Sequence, residues 1–264
     1  MSFKYLLKSK SFKFMRDRKD KSHSMQSFKY QGRDIYYRSS TSDMTLIYEI
    51  LLKSEYKSEY YIPKQVNPKI ILDIGGNIGI TSIYLANRFP QAKIYTFEPL
   101  PDNYEILAKN IQSYGNIEAF NFGLGSEDGD FDVYFSEDSE NFGGVSFYPE
   151  AGGVGKDSSF KCKIKNINNA LKDLSIKSVD LIKIDTEGAE FDILTNLDAK
   201  ILTNVSWITG ELHGNQDFEL LDYLTKIGFS IGLKKQIDNR LFMFHAGKPD
   251  IISTFNKQDL KTLL

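Results

Sequence analysis

The chain has 264 residues, of which 41% are hydrophobic and 26% are charged, an ordinary composition for a globular protein with one α/β domain and a small appendage. Its longest apolar runs are too short to span a membrane, and its lysine-rich first residues are not expected to be a secretory signal. The only cysteine, Cys162, excludes an internal disulfide and a cysteine-rich metal site, so a cytoplasmic location is the expectation.

Positive charge is concentrated at the start of the chain. Residues 1–33 contain ten lysines and arginines and two aspartates, a net charge of +8 that leaves about −10 for the remainder. Residues 1–26 are interpreted as a basic N-terminal arm. Its interleaved Phe3, Phe12 and Phe14 either pack on the arm's own domain or make a weak contact with an anionic membrane surface. No nucleic-acid-binding motif accompanies the arm, so nucleic acid is not expected as a partner.

Residues 27–66 predict a small N-terminal cap. Two short β-like runs, residues 28–30 and 35–37, flank a glycine turn. A helix is predicted from about residue 44 to 52, with Ser42 or Asp43 as its N-cap.

From residue 67 to 248, apolar strand-like runs alternate with helical patterns. Such alternation indicates βαβ units, a parallel sheet and right-handed crossovers, so this region is predicted to be one Rossmann-like α/β domain. Residues 131–167 interrupt the rhythm with a β-rich insertion, interpreted either as a substrate-side lid or as plain surface. Two late strands around a polar turn at 238–239 predict a terminal hairpin, and residues 249–264 predict a C-terminal tail or helix.

The first core strand ends in a carboxylate and continues into a glycine-rich turn, formed by Asp73, Gly75, Gly76, Asn77 and Gly79. An open α/β sheet binds its ligand at such strand ends, where glycines let the backbone approach closely. A carboxylate there repels the pyrophosphate of a dinucleotide but attracts the sulfonium and amino groups of S-adenosylmethionine. The turn therefore favours a methyltransferase over a nicotinamide-dependent oxidoreductase, which needs the wider Gly-x-Gly-x-x-Gly spacing.

Polar residues also follow the second and third strands. Glu98, beside Pro99 and twenty-five residues after Asp73, is placed to hydrogen-bond both ribose hydroxyls of a nucleoside. Asn121 is predicted either to meet the adenine edge or to serve a plain turn, and Gly123 lets the backbone approach the ligand.

A second polar cluster accompanies the strand at residues 181–184. Strand alternation places Lys183 and Asp185 on one face, where they form either a structural ion pair or part of the pocket. Glu187 extends the acidic rim that suits a cationic cofactor. We therefore expect Asp185 and Glu187 to contribute to cofactor binding.

The candidate catalytic residues lie at the ends of neighbouring strands. A hydroxyl acceptor needs its proton removed as attack proceeds. His213 and Asp185 are the candidates to accept this proton. Our hypothesis makes His213 the general base or a hydrogen-bonding contact to the acceptor, Asp185 the residue that orients His213 or holds the acceptor, and Lys183 the group that stabilises alkoxide charge. Asp185, Glu211 and His213 are alternatively compatible with a divalent metal, although no metal is the favoured expectation.

Three segments together resemble the FkbM family of S-adenosylmethionine-dependent methyltransferases. They are the glycine turn, residues 96–104 (Thr-Phe-Glu-Pro-Leu-Pro-Asp-Asn-Tyr) and residues 183–190 (Lys-Ile-Asp-Thr-Glu-Gly-Ala-Glu). Residues 38–43, followed by a helix, are similar to the N-terminal cap of that family. The resemblance covers about residues 33–213, with one departure at Gly76, where many members carry alanine.

This resemblance implies a class I methyltransferase fold, a seven-stranded sheet with helices on both faces and an antiparallel last strand. It implies S-adenosylmethionine as the cofactor and O-methylation of a hydroxyl on a small-molecule or glycan acceptor, such as a sugar or secondary metabolite. The alternative is a non-catalytic module that binds S-adenosylmethionine or a nucleotide on the same fold.

Overall fold

The structure is a computed structural model that describes residues 3–135, 145–146, 159–213, 216–236 and 242–263. Within these residues, thirteen strands form three sheets. The glycine-rich part of the predicted insertion and the predicted turn at 238–239 lie outside the described residues.

Two short helices come first, α1 (Phe3–Ser9) and α2 (Phe12–Asp17). The side chain of Ser11 accepts a hydrogen bond from the backbone amide of Phe14 and so caps α2. Phe14 is fully buried and stacks on Phe28, with their ring centroids 4.5 Å apart. The arm is thereby packed on the segment that follows it.

An antiparallel hairpin comes next, formed by β1 (Met25–Tyr30) and β2 (Arg33–Arg38). Its two turn residues, Gln31 and Gly32, both have positive φ angles, of 49° and 82°. This is the backbone twist that favours a two-residue hairpin turn.

A helix, α3 (Ser42–Leu46), follows the hairpin and continues as a wider helical turn, Ile47–Leu52. Its N-cap is Thr41, whose hydroxyl accepts a hydrogen bond from the amide of Asp43. The helix therefore starts slightly earlier than the sequence pattern predicts. Two short 3₁₀ turns lead on to the main domain: Glu55–Lys57 and Lys64–Val66.

The remaining strands are, in chain order, β3 (Ile70–Ile74), β4 (Lys93–Phe97), β5 (Ile117–Phe120), β6 (Gly123–Gly125), β7 (Gly129–Phe135), β8 (Val145–Ser146), β9 (Ser159–Asn166), β10 (Leu181–Ile184), β11 (Trp207–Leu212), β12 (Ser230–Gln236) and β13 (Phe242–Gly247). The remaining helices are α4 (Ile80–Arg88), α5 (Pro101–Ile111), α6 (Ile167–Asp173), α7 (Glu190–Asn196), α8 (Ala199–Leu202), α9 (Asp217–Lys226), α10 (Pro249–Ile252) and α11 (Lys257–Leu263).

Seven strands form the main sheet, in the spatial order β12, β13, β11, β10, β3, β4, β5. All neighbours are parallel except β13, which is antiparallel to both β11 and β12. The order of connection reverses between β3 and β10, which is where open α/β sheets bind ligands. The predicted seven-stranded Rossmann-like sheet with an antiparallel last strand is confirmed.

Apolar side chains fill both sides of this sheet because its strands are buried between two layers. Helices α4 and α5 pack on one face together with the hairpin and α3, whereas α6, α7 and α9 pack on the other. Strand β10 shows the alternation directly. Its Leu181 belongs to the first core and its Ile182 to the second, and both are fully buried.

The inserted region forms a separate four-stranded sheet in the order β6, β9, β7, β8. Strands β7 and β9 pair antiparallel, as their alternating patterns indicate, with Phe131 opposite Cys162. Its interpretation as a lid stays a prediction.

The C-terminal helix α11 is tied to the segment before β3. Tyr61 and Gln65 both donate hydrogen bonds to the carboxylate of Asp259 in that helix. Each helix in the described part of the chain is too short or too polar to cross a bilayer.

Candidate active site

A cleft opens at the carboxyl ends of β3, β4 and β10. Its cavity volume is about 180 Å³, and it is open to solvent on one side. Seven of the predicted cofactor-binding residues line it: Gly75, Asn77, Glu98, Pro99, Gly123, Asp185 and Glu187. Glu211, near the end of β11, lines it as well, so three acidic residues contribute to this wall.

Six other predicted site residues do not line the cleft: Asp73, Gly76, Gly79, Asn121, Lys183 and His213. Conversely, the sequence did not predict a site role for Ser42 and Leu46, which belong to α3 and line the wall of the cleft. No motif at these two positions signals a binding role. Their place follows from how the cap packs on the main domain.

An ionic network holds the cap in that place. Arg38 pairs with Asp43 through two hydrogen bonds of 2.8 Å, and it donates a third, also of 2.8 Å, to Asn103 in α5. All three residues are buried. Because charge-assisted bidentate pairs fix geometry strongly, the network holds the start of α3 against the main domain.

At the glycines of the turn, a larger residue would clash with neighbouring protein atoms or would strain the backbone. Gly75 has a φ of +81°, and a Cβ there would lie 1.8 Å from the carbonyl oxygen of Asp185. At Gly76, a Cβ would lie 2.2 Å from Thr96 Oγ1, so the alanine common in the resembling family does not fit this chain without a shift. Gly79, with a φ of +84°, is the N-cap of α4.

Asp73 lies beneath this turn and is fully buried. Ser82 donates a hydrogen bond of 2.5 Å to its Oδ2, and the Nζ of Lys183 lies 3.3 Å from its Oδ1. Burial raises the pKa of Asp73, although the charge of Lys183 opposes this. The sequence predicts that Asp73 contacts the cofactor directly. In the structure this carboxylate is buried away from the cleft, and its charged partner is Lys183.

Lys183 fastens β10 to the glycine turn. Its Nζ donates a hydrogen bond of 2.6 Å to the carbonyl oxygen of Gly75 and lies 3.9 Å from Asp185 Oδ2. Burial disfavours its charged form, but Asp73 and Asp185 raise its pKa above the usual value, so it is an ammonium ion. Only 2% of this side chain is exposed, so an acceptor in the cleft cannot reach it. The predicted contact between Lys183 and an alkoxide therefore does not fit the structure.

Replacing Lys183 with methionine is expected to lower the free energy of unfolding by about 3–5 kcal/mol, because the Asp73 carboxylate would stay buried without its partner. Urea denaturation of the purified variants measures this. The double variant Lys183→Met/Asp73→Asn should recover part of the loss, since it removes the stranded charge. A single variant as stable as the wild type would contradict the pairing.

Glu98 is 4% exposed, and both of its carboxylate oxygens accept backbone hydrogen bonds, from Asn77 at 2.7 Å and from Leu100 at 2.9 Å. Burial raises its pKa to about 7. The side chain of Asn103 also hydrogen-bonds to this carboxylate, which keeps acceptor capacity for a ribose hydroxyl because a carboxylate has about four lone-pair sites. The Oδ1 of Asn77 is buried with no hydrogen-bond partner among the described residues. This wall offers acceptors, which fits the hydroxyl and ammonium donors of S-adenosylmethionine.

Asn121 and Gly123 have structural partners. Asn121 is exposed and donates hydrogen bonds to the carbonyl oxygens of Glu98 and Pro99, at 2.9 and 3.2 Å. A Cβ on Gly123 would lie 2.6 Å from the side chain of Ile164 in β9. These contacts join the loop after β4 to the inserted sheet.

Tyr60 is the site residue that sequence reasoning missed most completely. It belongs to the segment between the two 3₁₀ turns and is 1% exposed. Its hydroxyl lies 3.0 Å from Asp185 Oδ2 and 3.2 Å from Glu211 Oε1, and the Nζ of Lys183 lies 5.4 Å from its ring centroid. The one signal was its position in an apolar run ahead of Pro63.

Both ring nitrogens of His213 face carboxylates. Nε2 lies 3.3 Å from Glu211 Oε2, and Nδ1 lies 3.4 Å from Glu190 Oε1. Burial opposes the charged ring, but the interactions with Glu190 and Glu211 prevail and raise the pKa of His213 to about 12. An imidazolium has no lone pair for a further proton, so this arrangement does not suit the hypothesis that His213 is the general base.

The same cluster contains a set of candidate metal ligands. Asp185, Glu211 and His213 each offer one ligand atom, and these three atoms lie within 4.8 Å of one another. A metal at this position needs the neutral form of His213, because a histidine binds metal through an unprotonated nitrogen. The donor set therefore fits a divalent cation only after the ring loses a proton.

Residues 73–231 match the family model of the methyltransferase FkbM domain. AMB antimetabolite synthetase AmbE of Pseudomonas aeruginosa is 26% identical in an alignment of 205 residues that covers 63% of this chain and 10% of that protein. Methyltransferase sdnD of Sordaria araneosa is 30% identical over 190 residues, 62% of this chain and 72% of the relative. Hexuronic acid methyltransferase AglP of Haloferax volcanii is 24% identical over 155 residues, 56% of this chain and 57% of the relative.

The chain thus spans between a tenth and about 72% of the length of these relatives. The family model covers more than half of the chain, and it includes both the glycine turn and the strand-end carboxylates. The chain therefore belongs to the FkbM family of S-adenosylmethionine-dependent methyltransferases, as its motifs predicted.

Proposed function

We propose that the protein methylates a hydroxyl oxygen of a small-molecule or glycan acceptor, such as a sugar or a secondary metabolite. The observation that carries this proposal is the position of Asp185, a carboxylate on the wall of the cleft that is held next to the glycine turn. The name of one relative, hexuronic acid methyltransferase, supports a sugar-type acceptor.

In this proposal the cofactor is held at the turn and at the end of β4. Glu98 accepts hydrogen bonds from the ribose hydroxyls, and the free Oδ1 of Asn77 accepts one from the ammonium group. The backbone of Gly75 and the ring of Pro99 form adjoining wall. When bound, S-adenosylmethionine supplies an electrophilic methyl group on a positively charged sulfur.

The acceptor hydroxyl must lose its proton as the new bond forms, and we assign Asp185 as the general base that accepts this proton. Its Oδ2 lies within hydrogen-bond distance of the Tyr60 hydroxyl, at 3.0 Å. Its Oδ1 lies 3.9 Å from His213 Nε2, which is beyond hydrogen-bond distance, so the lone pairs of this oxygen remain available to the acceptor.

The surrounding charges position this carboxylate. Lys183 and His213 each place a nitrogen 3.9 Å from one of its oxygens, and the two cations offset the negative charge of Asp185 and Glu211. Tyr60 bridges these two carboxylates from the cap. In this account Lys183 and His213 are positioning residues, and Asp185 alone exchanges a proton with the acceptor.

The purified protein, supplied with methyl-labelled S-adenosylmethionine and a panel of neutral glycosides, uronic acids and hydroxylated metabolites, tests this assignment. Mass spectrometry detects the added methyl group, and NMR identifies the atom that carries it. An O-methyl ether is the expected product. Methylation at nitrogen or carbon would contradict the proposal, even if the cofactor is consumed.

Activity is expected to survive exhaustive chelation, because both nitrogens of His213 face carboxylates in the geometry of an imidazolium donor. Initial rates are measured after dialysis against EDTA and again after Mg²⁺ or Mn²⁺ is added back. We expect the rates to agree within about twofold, a difference of well under 1 kcal/mol. A loss that added metal restores would assign the cluster to a cation instead.

A further inference from the structure

The two helices of the N-terminal arm leave three large apolar side chains in solvent. Phe3, Leu7 and Phe12 are 66%, 62% and 68% exposed. Phe3 and Leu7 are four residues apart in α1 and therefore share one face of that helix. Of the seven large hydrophobic side chains that are exposed in the described part of the chain, these three lie within ten residues of one another.

The opposite face of the arm is packed firmly on the cap. Tyr5 is 3% exposed and stacks on Tyr48, with a centroid distance of 4.5 Å, and the guanidinium of Arg18 lies 3.9 Å from the Tyr5 ring. The exposed apolar residues are thus displayed on an anchored element.

Exposed cations accompany the three apolar side chains along the arm. Seven basic residues of the arm are exposed: Lys4, Lys8, Lys10, Lys13, Arg16, Lys19 and Lys21. Of the two acidic residues of the arm, Asp17 is 3% exposed and pairs with Lys13 at 2.7 Å, and the partly exposed Asp20 accepts a hydrogen bond from the amide of Ser22. The exposed surface of the arm is therefore both apolar and strongly positive.

We propose that this surface, formed by the exposed side chains of residues 3–19, binds an anionic lipid bilayer. Phe3, Leu7 and Phe12 would insert among the lipid headgroups while the lysines contact lipid phosphates, as interfacial basic helices do. Charge complementarity selects this occupant. Nucleic acid would leave the three apolar side chains exposed to water, and a second copy would bring two arms of like charge together.

The position of the arm connects this surface to the cleft. Tyr5 in α1 stacks on Tyr48, which belongs to the helical turn that continues α3, and Leu46 of α3 lines the cleft. An arm bound to a bilayer therefore packs on the same cap that forms one wall of the cleft. This inference is independent of the chemistry assigned to Asp185.

Co-sedimentation of the full chain with lipid vesicles tests the proposal. We expect binding to vesicles of equimolar phosphatidylglycerol and phosphatidylcholine, weak binding to pure phosphatidylcholine, and weakening of the former as salt is added. The triple variant Phe3→Ser/Leu7→Ser/Phe12→Ser should partition at least about tenfold more weakly, because three inserted side chains are lost. The variant Lys8→Gln/Lys10→Gln should lose affinity for the anionic vesicles only.

The matched control is Phe218→Ser, which removes an equally large apolar side chain, 80% exposed, from α9. It should bind vesicles like the wild type. An unchanged thermal midpoint and unchanged S-adenosylmethionine affinity in the triple variant would show that the fold is intact. Three results would overturn the proposal: no sedimentation of the wild type, equal binding by the triple variant, or a dimer in size-exclusion chromatography that the triple variant abolishes.

Discussion

At a pH above about 8, where the Glu98 carboxyl group with its pKa of about 7 is ionised, replacing Glu98 with alanine is expected to weaken S-adenosylmethionine binding by more than about 100-fold. The reason is that hydrogen bonds to a charged group contribute about 1.5–3 kcal/mol each and two are lost. The change also releases the backbone amides of Asn77 and Leu100, which shape the cofactor side of the cleft. Isothermal titration calorimetry measures the affinity directly.

The conservative variant Glu98→Gln separates charge from shape. It keeps one oxygen acceptor, so we expect an intermediate loss of about tenfold, or 1.4 kcal/mol. Circular dichroism spectra and thermal midpoints establish that both variants are folded. Wild-type affinity in folded Glu98→Ala would remove the ribose contact from the account.

Replacing Asp185 with asparagine is expected to lower kcat by about 10²- to 10⁴-fold at saturating cofactor, which is the usual contribution of a general base. Asparagine has nearly the same shape and can still accept the hydrogen bond from Tyr60. Calorimetry should show S-adenosylmethionine affinity within a few-fold of wild type, because the acceptor's proton, and not the cofactor, is the main partner of this carboxylate.

Two further variants serve as controls for the kcat of Asp185→Asn. Asp102→Asn removes an exposed carboxylate in the first turn of α5 and should leave kcat unchanged, which controls for the loss of charge. Tyr60→Phe removes the hydroxyl bridge and should lower kcat less than Asp185→Asn does. An Asp185→Asn variant with the kcat of the wild type would refute the assignment of Asp185 as the general base.

Much of the fold was predictable from the sequence because its local signals agree with one another. The run before Asp73 is apolar and turns out to be a central buried strand, and the alternation of strands and helices matches the parallel sheet. The cap and the segment around Glu98 were also predictable from the sequence, because each contains turn or helix-capping residues within a few positions.

The contacts that organise the site were not predictable from the sequence, since they join residues far apart in the chain. Lys183 lies opposite Asp73 in the register of β3 and β10, but the two strands are not consecutive and nothing local specifies that they are neighbours. Tyr60 reaches Asp185 across 125 residues. Only the tertiary packing brings such partners together.

His213 shows what residue type alone leaves out. Its place after a strand at the ligand edge suggested a general base. In the structure Glu190 is buried and approaches Nδ1 of the ring, while Glu211 approaches Nε2. These carboxylates raise the pKa of His213 to about 12, which favours the charged ring over a proton acceptor.

A crystal structure of the protein with S-adenosylhomocysteine would locate the cofactor. We expect both ribose hydroxyls within about 3 Å of the Glu98 carboxylate and the sulfur on the Asp185 side of the cleft. A ligand bound elsewhere, with Glu98 contacting only Asn77, Leu100 and Asn103, would contradict the proposed cofactor site.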